Sequence, residues 1–145
     1  MLLPSRPPPA SEPQTVSDDR RALIVDDDPD SAELLLLLLG KLGWNCRIAY
    51  GASTALVVAT EFLPHAALVD VELPGMDGIA LLEALRAKEE LVACRFIAVT
   101  GFSADDLERR SKTVRFDAHL RKPFDFAELG CALAHCAANA ANGYG

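Results

Sequence analysis

The chain has 145 residues, half of them hydrophobic and 24% charged, with a formal net charge of −7 at neutral pH and four cysteines. This length supports one ordinary core and argues against a second independent domain. The acidic balance argues against direct nucleic-acid binding, which calls for a basic face, and four cysteines without a CxxC pair are those of a protein in a reducing cytoplasm.

The first nineteen residues, MLLPSRPPPASEPQTVSDD, carry five prolines in thirteen positions and no apolar signal core. An extended, solvated lead is expected there, not a secretory signal. Beyond Arg20 short apolar runs alternate with longer amphipathic ones. ALIV (22–25) is a buried strand, β1. PDSAELLLLLLGKL (29–42) is a helix, α1, with Asp28 as N-cap, Pro29 at the first helical position, Asp30 complementing the dipole and Gly43 just past the end. Its leucine run at 34–39 is far too short to span a bilayer, so no membrane association is expected.

NCRIAY (45–50) alternates in polarity and reads as a more exposed strand, β2; ASTALVVATEFL (52–63) is helix α2 and AALVD (66–70) the buried strand β3. The turn-rich LPGMDG leads to an amphipathic helix, α3, over 78–90. RFIAVT (95–100) is β4. SADDLERRSK (103–112), with Ser103 three residues before Asp106, is α4. AHLRK (118–122) is β5, and α5 runs from its cap Asp125 to Ala141. Cys131, His135 and Cys136 share that last helix without a fourth ligand in sight, and they read as helix surface and core, not a metal site.

Strict alternation of strand and helix demands a parallel sheet with right-handed crossovers. Five units of this size give a doubly wound, flavodoxin-like (βα)5 α/β domain of strand order 2-1-3-4-5. The expected boundaries are a proline-rich tail over 1–19, the domain over 20–139 and a short tail over 140–145. Ligands of such sheets sit beyond the carboxyl ends of the strands, beside the first and third. Asp26, Asp27 and Asp28 follow β1, Asp70 ends β3 with Glu72 two residues on, Thr100 ends β4 and Lys122 ends β5. Crowded carboxylates disfavour each other's ionisation unless a cation intervenes, and oxygen-only donors suit Mg²⁺ better than zinc.

LIVDDD, LVDVELPGMDG, AVTG and HLRKPF, in this order and spacing, resemble the receiver domain of two-component response regulators, from Arg20 to the last helix. The resemblance implies a signalling module, not an enzyme acting on an external substrate. A histidine kinase or histidine phosphotransfer protein would donate a phosphoryl group to Asp70, with Mg²⁺ held by Asp26, Asp27, Asp70 and the backbone carbonyl of Glu72. Asp27 is the favoured direct ligand of the acidic pair. Thr100 and Lys122 would bind the phosphoryl group, and the Lys122–Pro123 peptide would be cis. Output would pass through the α4-β5-α5 face to a downstream protein target or into a homodimer. The chemistry agrees with this: a carboxylate is a competent nucleophile while ionised, and phosphoryl transfer needs charge stabilised on three oxygens.

Two positions depart from the family's habit. His119 stands where an aromatic switch residue is usual, which implies a weaker or pH-sensitive coupling to Thr100, since imidazole ordinarily titrates near neutrality. Arg115 replaces a common glycine before β5. Glu72 and Phe102 occupy positions that in the family tune hydrolysis of the phosphoaspartate, implying a longer phosphorylated lifetime than the fastest members.

Other readings fit less well. A phosphatase of the haloacid-dehalogenase type wants an aspartate where Glu72 stands, and a cap insert. A flavodoxin-like cofactor carrier wants a phosphate loop where four acids would repel FMN phosphate. A pseudo-receiver is countered by the full acceptor set. No basic helix-turn-helix follows α5, so a single-domain regulator acting by partner binding or relay is expected, with a receiver segment of a hybrid kinase as the alternative.

Overall fold

A computed structural model describes residues 20–72, 78–101, 103, 105, 106, 109 and 116–139, with side chains as far as His135. Five strands, β1 (Arg21–Val25), β2 (Asn45–Ala49), β3 (Ala66–Asp70), β4 (Arg95–Thr100) and β5 (Ala118–Arg121), form one sheet in the order β2-β1-β3-β4-β5. Every pairing is parallel. The described helices are α1 (Pro29–Lys41), α2 (Ala52–Phe62), α3 (Gly78–Arg86) and α5 (Phe126–Asn139). Most of α4, both expected tails, Phe102 and Arg115 lie outside the described residues. At the start of α4 the Ser103 hydroxyl accepts from the Asp106 N–H at 3.2 Å. Among the described residues no helix is long and apolar enough to cross a membrane.

The two faces of the sheet follow from strand alternation, which sends successive side chains to opposite sides. Leu23, Val25, Ala67, Val69 and Phe96 pack against α2 and α3. Ala22, Ile24, Leu68, Ile97 and Val99 pack against α1 and α5, through Leu35, Leu39 and Leu129. The central strand β3 is therefore buried throughout, whereas edge strand β2 alternates between exposed and half-buried up to the buried Ala49. Each large side chain fully buried in these layers contributes about 1.5–3 kcal/mol of hydrophobic transfer free energy.

Local chemistry sets three of the described helix ends. Asp28 caps α1 by accepting from the Asp30 N–H, and Pro29 opens the helix. At its far end Gly43 takes φ +92°, its N–H donating to Gly40 and that of Trp44 to Leu39, a paired closure that satisfies two terminal carbonyls. Asp125 and Glu128 cap α5 reciprocally at 2.8 and 2.9 Å. Helix α3 is shorter than the 78–90 expected. Lys88 turns extended (ψ 124°) and a separate 3-10 turn follows over Glu89–Leu91. That break places Leu91 and Cys94 in the core beside α3, a burial an unbroken helix would not achieve.

Gly78 positions the site directly. A Cβ there would lie 2.5 Å from the Val71 Cα and 2.7 Å from the Asp70 carbonyl oxygen. Only glycine lets the start of α3 close on the chain just beyond Asp70.

Candidate functional site

The carboxyl ends of β1, β3, β4 and β5 converge on one rim, and each delivers a polar side chain. Asp26 continues the β1 ladder by one residue, its N–H donating to the Ala49 carbonyl at 3.1 Å. Its side chain is almost fully buried. Oδ1 accepts from the Asp28 N–H at 3.0 Å, while Oδ2 has no hydrogen bond and faces Lys122 Nζ at 3.6 Å. A buried carboxylate oxygen left in that state calls for a cation.

Asp70, 7% exposed, offers Oδ1 to the Glu72 N–H at 2.9 Å and Oδ2 to Lys122 Nζ at 3.6 Å. Burial pushes its carboxyl above the usual carboxylate value, opposed by the Glu72 N–H and the Lys122 ammonium and reinforced by the charges of Asp26 and Glu72. One ammonium thus lies between two buried carboxylates. Lys122 is aimed there from the end of β5, where its N–H donates to the Thr100 carbonyl at 2.7 Å and the following Lys122–Pro123 peptide is cis.

Carboxylate oxygens of Asp26, Asp27 and Asp70 lie within 4.8 Å of one another, the first and last buried and Asp27 exposed. Oxygen-only donors, one of them buried without a hydrogen bond and one open to water, fit a hard divalent cation such as Mg²⁺, which keeps several waters. Thr100 is fully buried, and its Oγ1 donates to Glu72 Oε2 at 3.2 Å; the Gly101 N–H donates to the same oxygen at 3.3 Å. Register sets His119 opposite Ala98, two residues before Thr100 and on the same face of the sheet. Asp28 and Asp30 belong to the helix start.

Residues 22–134 match the family model of the response regulator receiver domain. The chain belongs to that family. It is 32% identical over 93 residues to sporulation initiation phosphotransferase F of Bacillus subtilis, covering 64% of this chain and 73% of that one. Of three other curated relatives the chain spans only 19% to 43%. A CheY-like receiver domain from Methylobacillus flagellatus shares 33% identity with a TM-score of 0.74, over 81% of this chain and 98% of that one. The receiver domain of the sensor histidine kinase PA1611 of Pseudomonas aeruginosa, solved with magnesium in its active-site cleft, shares 27% identity with a TM-score of 0.71, over 79% and 94% of the two chains.

The receiver's sequence does not announce two features of this rim. The first is the Glu72 carboxylate across Thr100 and Gly101, since the direction of a long side chain is set by the fold and not by its neighbours in sequence. The second is an apolar strip beside the site. Leu34 and Leu37 on α1 are 53% and 63% exposed, and a cleft of about 440 Å³ joins Leu34 and Ser31 to Asp26, Lys122 and Phe124. Six consecutive leucines carried that signal, because a helix buries only one stripe and the rest must face outward.

Proposed function

We propose that this receiver accepts a phosphoryl group on Asp70 from the phosphohistidine of a histidine kinase or histidine phosphotransfer protein, in a Mg²⁺-dependent reaction. The observation that carries the proposal is a buried carboxylate at the end of the central strand, 3.6 Å from an ammonium and grouped with two further carboxylates. An Asp70 oxygen attacks phosphorus, the P–N bond breaks, and the imidazole leaves with the electron pair and takes up a proton. Lys122 neutralises charge on one phosphoryl oxygen, and the Thr100 hydroxyl with the Gly101 N–H serves another. Mg²⁺ held by Asp26, Asp27, Asp70 and the Glu72 carbonyl would stabilise the charge on the phosphoryl group. The magnesium in the PA1611 receiver supports extending that metal to this chain.

The apolar strip of Leu34 and Leu37, next to the cleft that reaches Lys122, suits a helix of the phosphodonor. Output passes through the α4-β5-α5 face to a protein target, a second copy or the next member of a relay, as the name of the Bacillus phosphotransferase suggests. Thr100 and His119, on one face of adjacent strands, are the proposed switch pair. The phosphatase alternative loses its ground, because Glu72 replaces the aspartate that chemistry needs and turns its carboxylate to Thr100. Incubation with Mg²⁺ and acetyl phosphate is expected to add the mass of one phosphoryl group to the wild type and none to Asp70→Asn. An equal gain in both would contradict the proposal.

A further inference from the structure

The end of the sheet opposite Asp70 carries a second polar group of side chains, of reversed sign. Arg20 precedes β1, Trp44 precedes β2, His65 precedes β3 and Arg95 opens β4. With Leu42 and Leu133 they line an open cleft of about 470 Å³, walled on one side by α5. That volume accommodates a small organic molecule. Three of the described lining residues are basic and none is acidic, in a chain whose net charge is −7.

Among the described residues no carboxylate pairs with Arg20 or Arg95. The Arg20 guanidinium lies 5.4 Å over the Trp44 ring and donates Nη2 to the Leu42 carbonyl at 3.0 Å, which holds its charge at the cleft edge. Arg95 Nε is buried without a hydrogen-bond partner among those residues. An N–H so placed calls for an acceptor. Gly130 lines the same cleft from within α5, and a Cβ built there would meet nothing within 4 Å. No close approach requires glycine at this position, although glycine weakens a helix interior relative to other residues. What it leaves is room.

We propose that this cleft binds a small organic anion with an apolar or aromatic body. The anionic oxygens accept from Arg95 beside the charge of Arg20, and the body lies on Trp44 and Leu133. The acidic rim at the other end of the strands would repel the same molecule. The site shares no residue with the phosphoryl cradle, so it stands or falls independently of Asp70 as acceptor.

The anionic probe is 8-anilino-1-naphthalenesulfonate, and N-phenyl-1-naphthylamine is its uncharged counterpart. Trp44 is the chain's only tryptophan, so quenching of its emission by energy transfer reports binding. Titration of the wild type is expected to saturate at one anionic dye per chain, with the uncharged dye about tenfold weaker or worse. Arg95→Met keeps the length of the side chain without its charge, and Gly130→Leu fills the cleft. Each should weaken the anionic dye about tenfold, the scale of one hydrogen bond to a charged group. Gly130→Leu should melt at or above the wild-type temperature, because leucine replaces a helical glycine, so its lost binding is not lost folding. Neutralising the acids just before Arg20, with Asp18→Asn and Asp19→Asn together, should change affinity no more than about twofold, the scale of screened surface charge.

No saturable binding by the wild type, wild-type affinity in Arg95→Met or Gly130→Leu, or equal affinity for the two dyes would overturn the proposal. A gain of about tenfold in the double variant would assign the cleft to the chain's own acidic lead and overturn it as well.

Discussion

The proposed role sets Asp70 two demands that pull in opposite directions. Burial at the end of β3 raises its carboxyl above the ordinary value, yet a nucleophilic carboxylate must be ionised. Lys122 and the Glu72 N–H offset part of that burial, and a bound divalent ion would offset more. The sign of the linkage follows. A carboxyl whose folded pKa lies above its unfolded value adds stability below the unfolded pKa and loses that contribution as pH rises through the folded one. Asp70→Asn is therefore expected to melt a few degrees higher than wild type at pH 7 without metal, about 1 kcal/mol in a domain of this size. The gap should close below about pH 4, where both forms are neutral. Thermal melts of both proteins across pH check this, and a gap that widens in acid would contradict it. At this scale the sequence showed which residues gather, because strand ends in a doubly wound sheet share one rim. It did not show that Asp26 Oδ2 is buried without a hydrogen bond or that Glu72 bridges to Thr100, since both depend on side-chain direction.

The aspartate run after β1 divides at the scale of elements. Asp26 and Asp27 face the site, and Asp28 begins α1. Asp28→Ala should cost about 1 kcal/mol through loss of the cap, with Mg²⁺-dependent loading near wild type. Asp27→Ala should do the reverse, since Asp27 is exposed and its loss removes a proposed metal donor while sparing the core. Urea denaturation with a loading assay separates the two, and equal stability loss in both would refute the division. Helix starts and stops were legible where local chemistry decides them, as at Asp28, Gly43 and Asp125. The end of α3 was not, because burial of Leu91 and Cys94 against the sheet broke a pattern that local preference would have continued.

For the whole molecule, alternating apolar and amphipathic segments were enough to derive a parallel sheet clothed on both faces, and the observed order is the one expected. What the pattern could not assign was the use of the surplus leucines on α1, since periodicity distinguishes buried from exposed but not empty surface from an interface. Leu37→Glu should slow transfer from a phosphorylated histidine phosphotransfer protein several-fold and leave acetyl phosphate loading and stability near wild type, because Leu37 is already in water. Equal slowing with both donors would place Leu37 outside the docking surface. The central claim is tested most directly by locating the acyl phosphate itself. Borohydride reduction of the Mg²⁺- and acetyl phosphate-loaded protein, followed by peptide mapping, should convert position 70 from aspartate to homoserine. Homoserine at position 26 or 27, with Asp70 intact, would contradict the account.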